Sequence, residues 1–304
     1  MGSVAQASRG LDVAACSQIS AAVEAFMGTF LDERPLAPNL GQAVRYALLG
    51  GGKRLRPILV VRSCEALGGG ADQALAPAAA VEMIHAFSLV HDDLPAMDDD
   101  DLRRGRPTLH KHTSEAMAIL AGDVLTSLAF EIITTLIAPP RHASDLAGRL
   151  AHELSIATRD MISGQVYDTL PDFDDAVQPL ERLQTIHRHK TGALICASCR
   201  MGAIVAGARA SQLEDITRFA QALGLMFQVV DDLLDVTQTT EHLGKAAGKD
   251  ADQGKLTYPG LLGVDQSRRE VQRLHVQACE ALESLGPAAQ GLRDLCNYMA
   301  VRTR

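Results

Sequence analysis

Val81-Glu82-Met83-Ile84-His85-Ala86-Phe87-Ser88-Leu89-Val90-His91-Asp92-Asp93-Leu94-Pro95 reads as a buried helix that ends on charge. Val81 to Val90 is mostly apolar, and Pro95 interrupts regular backbone just after the two aspartates. Asp98, Asp99, Asp100 and Asp101 follow, and then Arg103 and Arg104. A carboxylate carried to the end of a buried helix is costly unless a cation compensates it. A solvated acidic loop would account for the aspartates alone but not for the helix that delivers them. A divalent-cation site is therefore the expectation.

A second acidic cluster sits inside a helix. Between Ser211 and Val236, Ile216, Phe219, Leu223, Phe227 and Val230 keep the three-and-four spacing of a buried stripe. Gln228, Asp231 and Asp235 form another stripe at that spacing, with Asp232 beside them. Asp231 and Asp235 are one turn apart, so their carboxylates face the same way at about 6 Å. Two carboxylate clusters on different helices can oppose each other across a bundle. All-oxygen sites suit magnesium or manganese rather than zinc, and magnesium usually bridges to substrate phosphates.

The basic residues fit a phosphorylated substrate. Lys53, Arg54 and Arg56 follow Gly50-Gly51-Gly52 at a helix start, a favourable place for an anion. His85 and Ser88 share a helical face with Asp92, and Lys190, Lys245, Lys249 and Lys255 come from later in the chain.

Composition narrows the class. The 304 residues are 47% hydrophobic and 22% charged, with no Trp and 4% aromatics, which favours helices over sheets. A net charge of −8 argues against nucleic acid as a partner. Cys16, Cys64, Cys196, Cys199, Cys279 and Cys296 are scattered, as reduced thiols would be, and the Cys196-x-x-Cys199 pair lacks a second pair for a zinc site. No run reaches the eighteen or so uninterrupted apolar residues of a membrane span. With no leader pattern read at Met1, the expected location is cytoplasmic.

Helical patterning runs from near Leu11 past Phe30, through Val44 to Leu48, over Ile58 to Leu67, and from Pro77 to Asp92. It resumes over Thr113 to Ile137, Asp145 to Ser163, Leu180 to Ala206 with an interruption at Lys190-Thr191-Gly192, and Ser211 to Val236. Two further helices follow the polar Gly244–Gly254 loop. No strand or hairpin pattern stands out. One all-α domain over residues 1–304 is expected, with residues 1–10 frayed.

These segments, in this order, resemble the trans-prenyltransferases, the polyprenyl diphosphate synthase family. The likeness runs from Gly51-Gly52-Lys53-Arg54-Leu55-Arg56-Pro57 through Ser88–Asp98, Lys190-Thr191-Gly192-Ala193 and Phe227–Asp235 to Asp252-Gln253-Gly254-Lys255-Leu256-Thr257-Tyr258-Pro259. It implies an isoprenoid-synthase-type bundle of antiparallel helices around a central cavity, working as a homodimer. Asp92, Asp93 and Asp98, with Asp231, Asp232 and Asp235, would hold three Mg2+ ions. Arg103, Lys190, Thr191, Gln228, Lys245 and Lys255 would hold the allylic diphosphate and steady its cation, and Lys53, Arg56, His85 and Arg104 would hold isopentenyl diphosphate. Arg302, Arg304 and the Gly244–Gly254 loop are the expected closing elements.

The resemblance also implies a product length. Residues four and five before the first aspartate, Ser88 and Phe87, would line the elongation tunnel, and a phenyl ring there favours the fifteen-carbon product of farnesyl diphosphate synthases. A geranylgeranyl diphosphate synthase is the alternative. From another class, a non-catalytic subunit would be expected to have lost motif residues. A di-iron bundle needs paired Glu-x-x-His motifs, and only Glu82 with His85 offers one.

Overall fold

The computed structural model describes residues 11–136, 143–237 and 255–302. Lys245, Lys249, the Gly244–Gly254 loop, Asp252-Gln253-Gly254, Arg304 and the expected fray of residues 1–10 lie outside them. The chain is an all-α bundle. Its helices are α1 (Val13–Asp32), α2 (Pro38–Leu48), α3 (Leu55–Ala66), α4 (Leu75–Asp92), α5 (Leu109–His112), α6 (Glu115–Leu136) and α7 (Ala143–Thr169). They continue with α8 (Pro179–His187), α9 (Ala193–Val205), α10 (Ala210–Thr237), α11 (Tyr258–Leu262), α12 (Val264–Ala281) and α13 (Gln290–Val301).

The centre of the bundle is α4. Ala78, Ala79, Ala80, Val81, Met83 and Ile84 are all fully buried, and small side chains let neighbouring helices approach closely. It packs against α3 on one side and α6 on the other. Gly122 of α6 marks the closest approach: a Cβ there would fall 2.1 Å from His91 Nε2. The same histidine nitrogen lies 3.1 Å from the Ile119 carbonyl, tying the acidic end of α4 to α6. α10 is the second pillar, buried along Ile216, Phe219, Leu223 and Met226 and packed against α9 and α12. Among the described residues the buried apolar side chains form one cluster that reaches from α1 to α13.

The helix start after the glycines is fixed by Arg54. It has a left-handed backbone (φ 47°) and a side chain spent inside the protein. Its guanidinium donates to Glu82 at 2.6 Å, Glu24 at 2.8 Å and the Leu48 carbonyl at 2.8 Å. Glu82 is 2% exposed, so this is a buried pair whose disruption costs on the order of 3–5 kcal/mol. Glu82 is thus the partner of Arg54, which removes the Glu82/His85 pair as an iron ligand set.

Two expectations are corrected. A two-stranded antiparallel ladder, β1 (Leu102–Arg103) with β2 (Arg106–Pro107), follows the acidic run. Arg104 (φ 54°) and Gly105 (φ 74°) both take the left-handed conformation that a tight hairpin turn requires, although Arg-Gly is not one of its usual dipeptides. And three helical stretches, Val13–Asp32, Ala71–Asp92 and Glu115–Thr135, are long and apolar enough to cross a membrane by length and composition. The residues of the middle one are spent on the core: 67% of its most apolar window is buried.

Candidate active site

Asp92 ends α4, and the chain then curls back on itself. Asp98 N–H donates to the Asp92 carbonyl at 2.9 Å, and Met97 and Asp99 N–H both donate to the Leu94 carbonyl. The four residues between Asp93 and Asp98 are absorbed in this turn, which returns Asp98 to the helix end. Asp93 is 3% exposed and accepts a hydrogen bond from Arg103 Nε at 2.6 Å, with Nη2 of the same guanidinium ion-paired 2.5 Å from the same oxygen. Asp92, by contrast, accepts no side-chain hydrogen bond among the described residues. Burial, helped by Asp98 and Asp93 and opposed by Lys190 and Arg103, lifts its carboxyl to about 6. A carboxylate kept in that condition is suited to a cation.

Asp100 and Asp101 have a structural task. Thr108 donates its hydroxyl to the Asp100 carbonyl at 2.8 Å and its N–H to the Asp101 carbonyl at 3.0 Å, and Lys111 pairs with Asp101. They close the hairpin that carries Arg103 and Arg104.

That hairpin covers a narrow cleft of about 60 Å³, lined by Arg54, Glu82, His85, Asp93, Arg103, Arg104 and Arg106 among others. Arg104 reaches the Gly51 carbonyl, and a Cβ on Gly52 would fall 2.4 Å from its guanidinium, which explains a glycine there at φ +135°. His85 is kept neutral, well below its ordinary value, by burial first and then by Arg56, Arg104, Arg103 and Arg54. Arg56 is lowered to about 10 by burial, with Arg104 adding to it, and its buried Nε has no hydrogen-bond partner. Positive charge crowded to this degree, with a donor left over, fits an anion. Lys53 sits at the exposed edge of this end.

A larger cavity of about 470 Å³ opens beside the second acidic cluster. Lys190, Thr191, Gln228, Asp232 and Lys255, all singled out in the sequence, line it with Asp168 and His187. Lys190 and Thr191 lie in a π-turn, Arg188–Gly192, at the interruption expected there. The turn is pressed onto α7 at Gly164, where a Cβ would fall 2.1 Å from Lys190 N, and onto α10 at Gly224. Lys190 donates to Asp168 at 2.6 Å, and Lys255 lies 3.8 Å from the same carboxylate. Burial alone would lower Lys190, but Asp168, then Asp92 and Asp98, raise it. Asp168 is lowered against its burial by Lys190 and Lys255. Lys190 thereby links the cavity to the first acidic cluster.

The second cluster divides its aspartates. Asp231 accepts from Arg302 at 2.6 Å, and that guanidinium also donates to the Phe227 carbonyl and lies 4.1 Å over the Phe227 ring. Asp232 is buried and accepts from Tyr258 N–H at 2.9 Å, fixing the start of α11. His187 lies 3.9 Å from Asp232, but burial holds it at about 4, so it stands there neutral. Asp235 is 8% exposed. These contacts show what each side chain is bound to in this structure. Asp232 and Asp93 are anchored by the protein, Arg103 belongs to the Asp93 side of the small cleft, and Arg302 is held on Asp231.

Phe87 lies half-buried on α4, edge-on to His91 at 5.0 Å between ring centres. Ser88 bonds back to the His85 carbonyl. Neither lines the two cavities above. Asp168 went unnoticed in the sequence because the helix carrying it was expected to stop at Ser163, and α7 runs on to Thr169.

The sequence model of the polyprenyl synthetase family matches residues 37–286. The chain belongs to the polyprenyl synthetase family. It is a short-chain prenyltransferase with the isoprenoid-synthase fold. Geranylgeranyl pyrophosphate synthase 11 of Arabidopsis thaliana, a chloroplastic protein, is 47% identical over 87% of this chain and 75% of its own length. The chloroplastic geranylgeranyl pyrophosphate synthase of Catharanthus roseus is 48% identical over 87% and 74%. An FPP/GFPP synthase from Zymomonas mobilis superposes with a TM-score of 0.82 at 34% identity, over 94% of this chain and 98% of its own. The chloroplastic relatives overturn the cytoplasmic location expected from the sequence.

Proposed function

We propose that this chain, as one domain, joins isopentenyl diphosphate to an allylic diphosphate and releases geranylgeranyl diphosphate. The observation that carries the two-substrate reading is the pairing of an arginine-crowded cleft around a neutral His85 with a larger Lys190/Lys255 cavity, the first acidic cluster lying between them. Arg56, Arg104 and Lys53 hold the isopentenyl diphosphate beside His85. Lys190, Thr191, Gln228 and Lys255 hold the allylic diphosphate, with Lys245 assigned to the same partner, while Arg103 lines the small cleft and acts there by holding Asp93.

Asp92, Asp98 and Asp231 offer hard oxygen donors of the kind Mg2+ takes, or Mn2+ in its place, and the raised Asp92 carboxyl fits that use. Three such ions, with Asp93, Asp232 and Asp235 in support, would neutralise the departing diphosphate. Lys190 and Gln228 face the cation left behind, and the protonated Lys190, tied to Asp168, cannot quench it as a free amine would. The π-bond of isopentenyl diphosphate attacks that cation, and a proton leaves to the released diphosphate. Water has to be excluded during this interval. A homodimer is part of the reading: Ile119 and Leu120 on α6, with Ile162 and Val166 on α7, are 44–54% exposed and apolar.

Twenty carbons is the first reading because the curated relatives at 47–48% identity are named geranylgeranyl pyrophosphate synthases. Phe87 favours the second reading, fifteen carbons. Incubation with isopentenyl diphosphate and each allylic primer, with and without Mg2+, followed by chromatography of the dephosphorylated products, decides between them. A fifteen-carbon product that lengthens in Phe87→Ala would establish the second reading. Absence of any Mg2+-dependent product would defeat both.

A further inference from the structure

Outside the lining of both cavities, α12 and α13 bring together a set of side chains the prenyl transfer does not use. His275 and Cys279 lie one turn apart on α12, and Cys296 comes from α13. One ligand atom from each lies within 4.8 Å of the others, and Cys279 Sγ is 3.7 Å from His275 Nε2. Around a tetrahedral zinc ion, with Zn–S of about 2.3 Å and Zn–N of about 2.0 Å, a sulfur and a nitrogen ligand stand about 3.5 Å apart. Asn297 Oδ1 is 2.7 Å from the same imidazole nitrogen, an oxygen already at hand for the fourth position. Cys296 is fully buried, and His275 and Cys279 are half-buried, so an ion could enter from the surface side.

We infer that His275, Cys279 and Cys296 form a soft-metal site, for Zn2+ or a similar thiophilic divalent ion, that clamps α12 to α13. Two sulfurs and an imidazole exclude Mg2+ as the occupant, which separates this site from the acidic clusters. Binding forms two metal–thiolate bonds: Cys296 exchanges its S–H for the metal and releases that proton, and Cys279, lowered to about 6 chiefly by its hydrogen bond with Cys296, enters largely as thiolate. The imidazole proton moves from Nε2 to Nδ1 as Nε2 turns to the metal and leaves Asn297. The hairpin is already ordered for this: Arg293 donates to the Gly286 carbonyl at 2.8 Å and the Leu282 carbonyl at 2.7 Å, fixing the turn between the two helices. The clamp bears on the active site through Arg302, which follows the last residue of α13 and holds Asp231.

The test uses the full chain, reduced and stripped of metal, titrated with Co2+ alone. Thiolate-to-cobalt charge-transfer absorption reports sulfur ligands only, so Co2+ in the acidic clusters is silent. The expected result is one equivalent of absorption that Zn2+ bleaches, with proton release on binding in weakly buffered solution near neutral pH. Cys279→Ser and Cys296→Ser should each weaken binding at least about tenfold, as should the half-buried His275→Ala, while Cys196→Ser leaves it unchanged. No charge-transfer band in the wild-type chain would overturn the inference. So would Cys279→Ser that binds Co2+ as tightly as the wild-type chain with an undiminished band, or Cys196→Ser that loses the band.

Discussion

The two aspartate-rich motifs look alike in sequence but are held by different means. In each, the middle aspartate is buried and bound by the protein: Asp93 by the Arg103 guanidinium, Asp232 by the Tyr258 backbone N–H. The leading aspartates diverge. Asp92 is pushed up to about 6 by burial among like charges, whereas Asp231 is held by Arg302. A motif read as a row of equal ligands is therefore an alternation of anchors and free carboxylates. The first cluster leaves its leading carboxylate in unfavourable electrostatics for a cation to relieve, whereas in the second the leading carboxylate is already paired with Arg302.

The sharpest break in this comparison comes from removing the strained carboxylate. Asp92→Ala should lower kcat by on the order of 10²–10³-fold at saturating substrates, the scale of losing one group that stabilises developing charge. Activity within a few-fold of wild type would show that Asp92 carries no such role. Asp168→Asn should cost less, about 10–100-fold, because it leaves Lys190 in place but frees it from its partner. Here kcat/KM for the allylic substrate should fall more than that for isopentenyl diphosphate. Equal losses for the two substrates would refute a positioning role confined to Lys190 and Lys255.

The stability of the metal-free chain separates the motifs in sign. The folded-state value of Asp92, about 6, lies above its ordinary 3.8. The folded chain therefore takes up a proton as pH falls through 6, and this group's penalty is present above pH 6 and gone below about pH 4. That displacement corresponds to at most about 3 kcal/mol. Asp92→Asn should therefore raise Tm at neutral pH and flatten its rise between pH 6 and 4, at the expense of activity. Asp232→Asn should lower Tm instead, through a stability loss of about 1–3 kcal/mol, because a buried charge-assisted acceptor of the Tyr258 N–H is lost. Thermal unfolding across pH in chelator measures both, and parallel shifts would erase the distinction between anchor and free carboxylate.

Periodicity made most of the bundle legible. The α4 and α10 patterns placed both acidic clusters, and Lys190-Thr191-Gly192 marked a break that is a π-turn. What stayed hidden depends on partners distant in sequence. Ser163-Gly164 has the look of a helix end, yet Gly164 continues α7 because only a glycine lets the backbone at Lys190 come so close, and this kept Asp168 out of view. Arg54 stood among the anion-binding candidates beside Arg56, and nothing local reveals that Glu82 and Glu24 claim it. Asp232 could not be told from Asp231 without Tyr258, 26 residues on. The Cys196–Cys199 pair drew attention as a metal motif by its spacing, while the cluster at His275, Cys279 and Cys296 is assembled only by the α12–α13 hairpin.

The smallest expected effect tests whether the Arg302 contact on Asp231 is part of the site or only a tether for the end of α13. The Arg302 side chain is 6% exposed and that of Asp231 41%, so the ion pair itself is screened by solvent on one side and contributes about 1 kcal/mol or less. The stacking on Phe227 adds a comparable amount. Arg302→Ala should thus lower stability by only about 1–2 kcal/mol, within reach of denaturant titration. Its consequence for Mg2+ is more telling. If Arg302 competes with the metal for Asp231, the variant reaches half-maximal activity at a lower Mg2+ concentration. If it orients the carboxylate for the metal, the concentration needed rises. Arg302→Lys keeps the charge without the planar stack and distinguishes the two, since a competing charge would persist in it while an orienting fork would not.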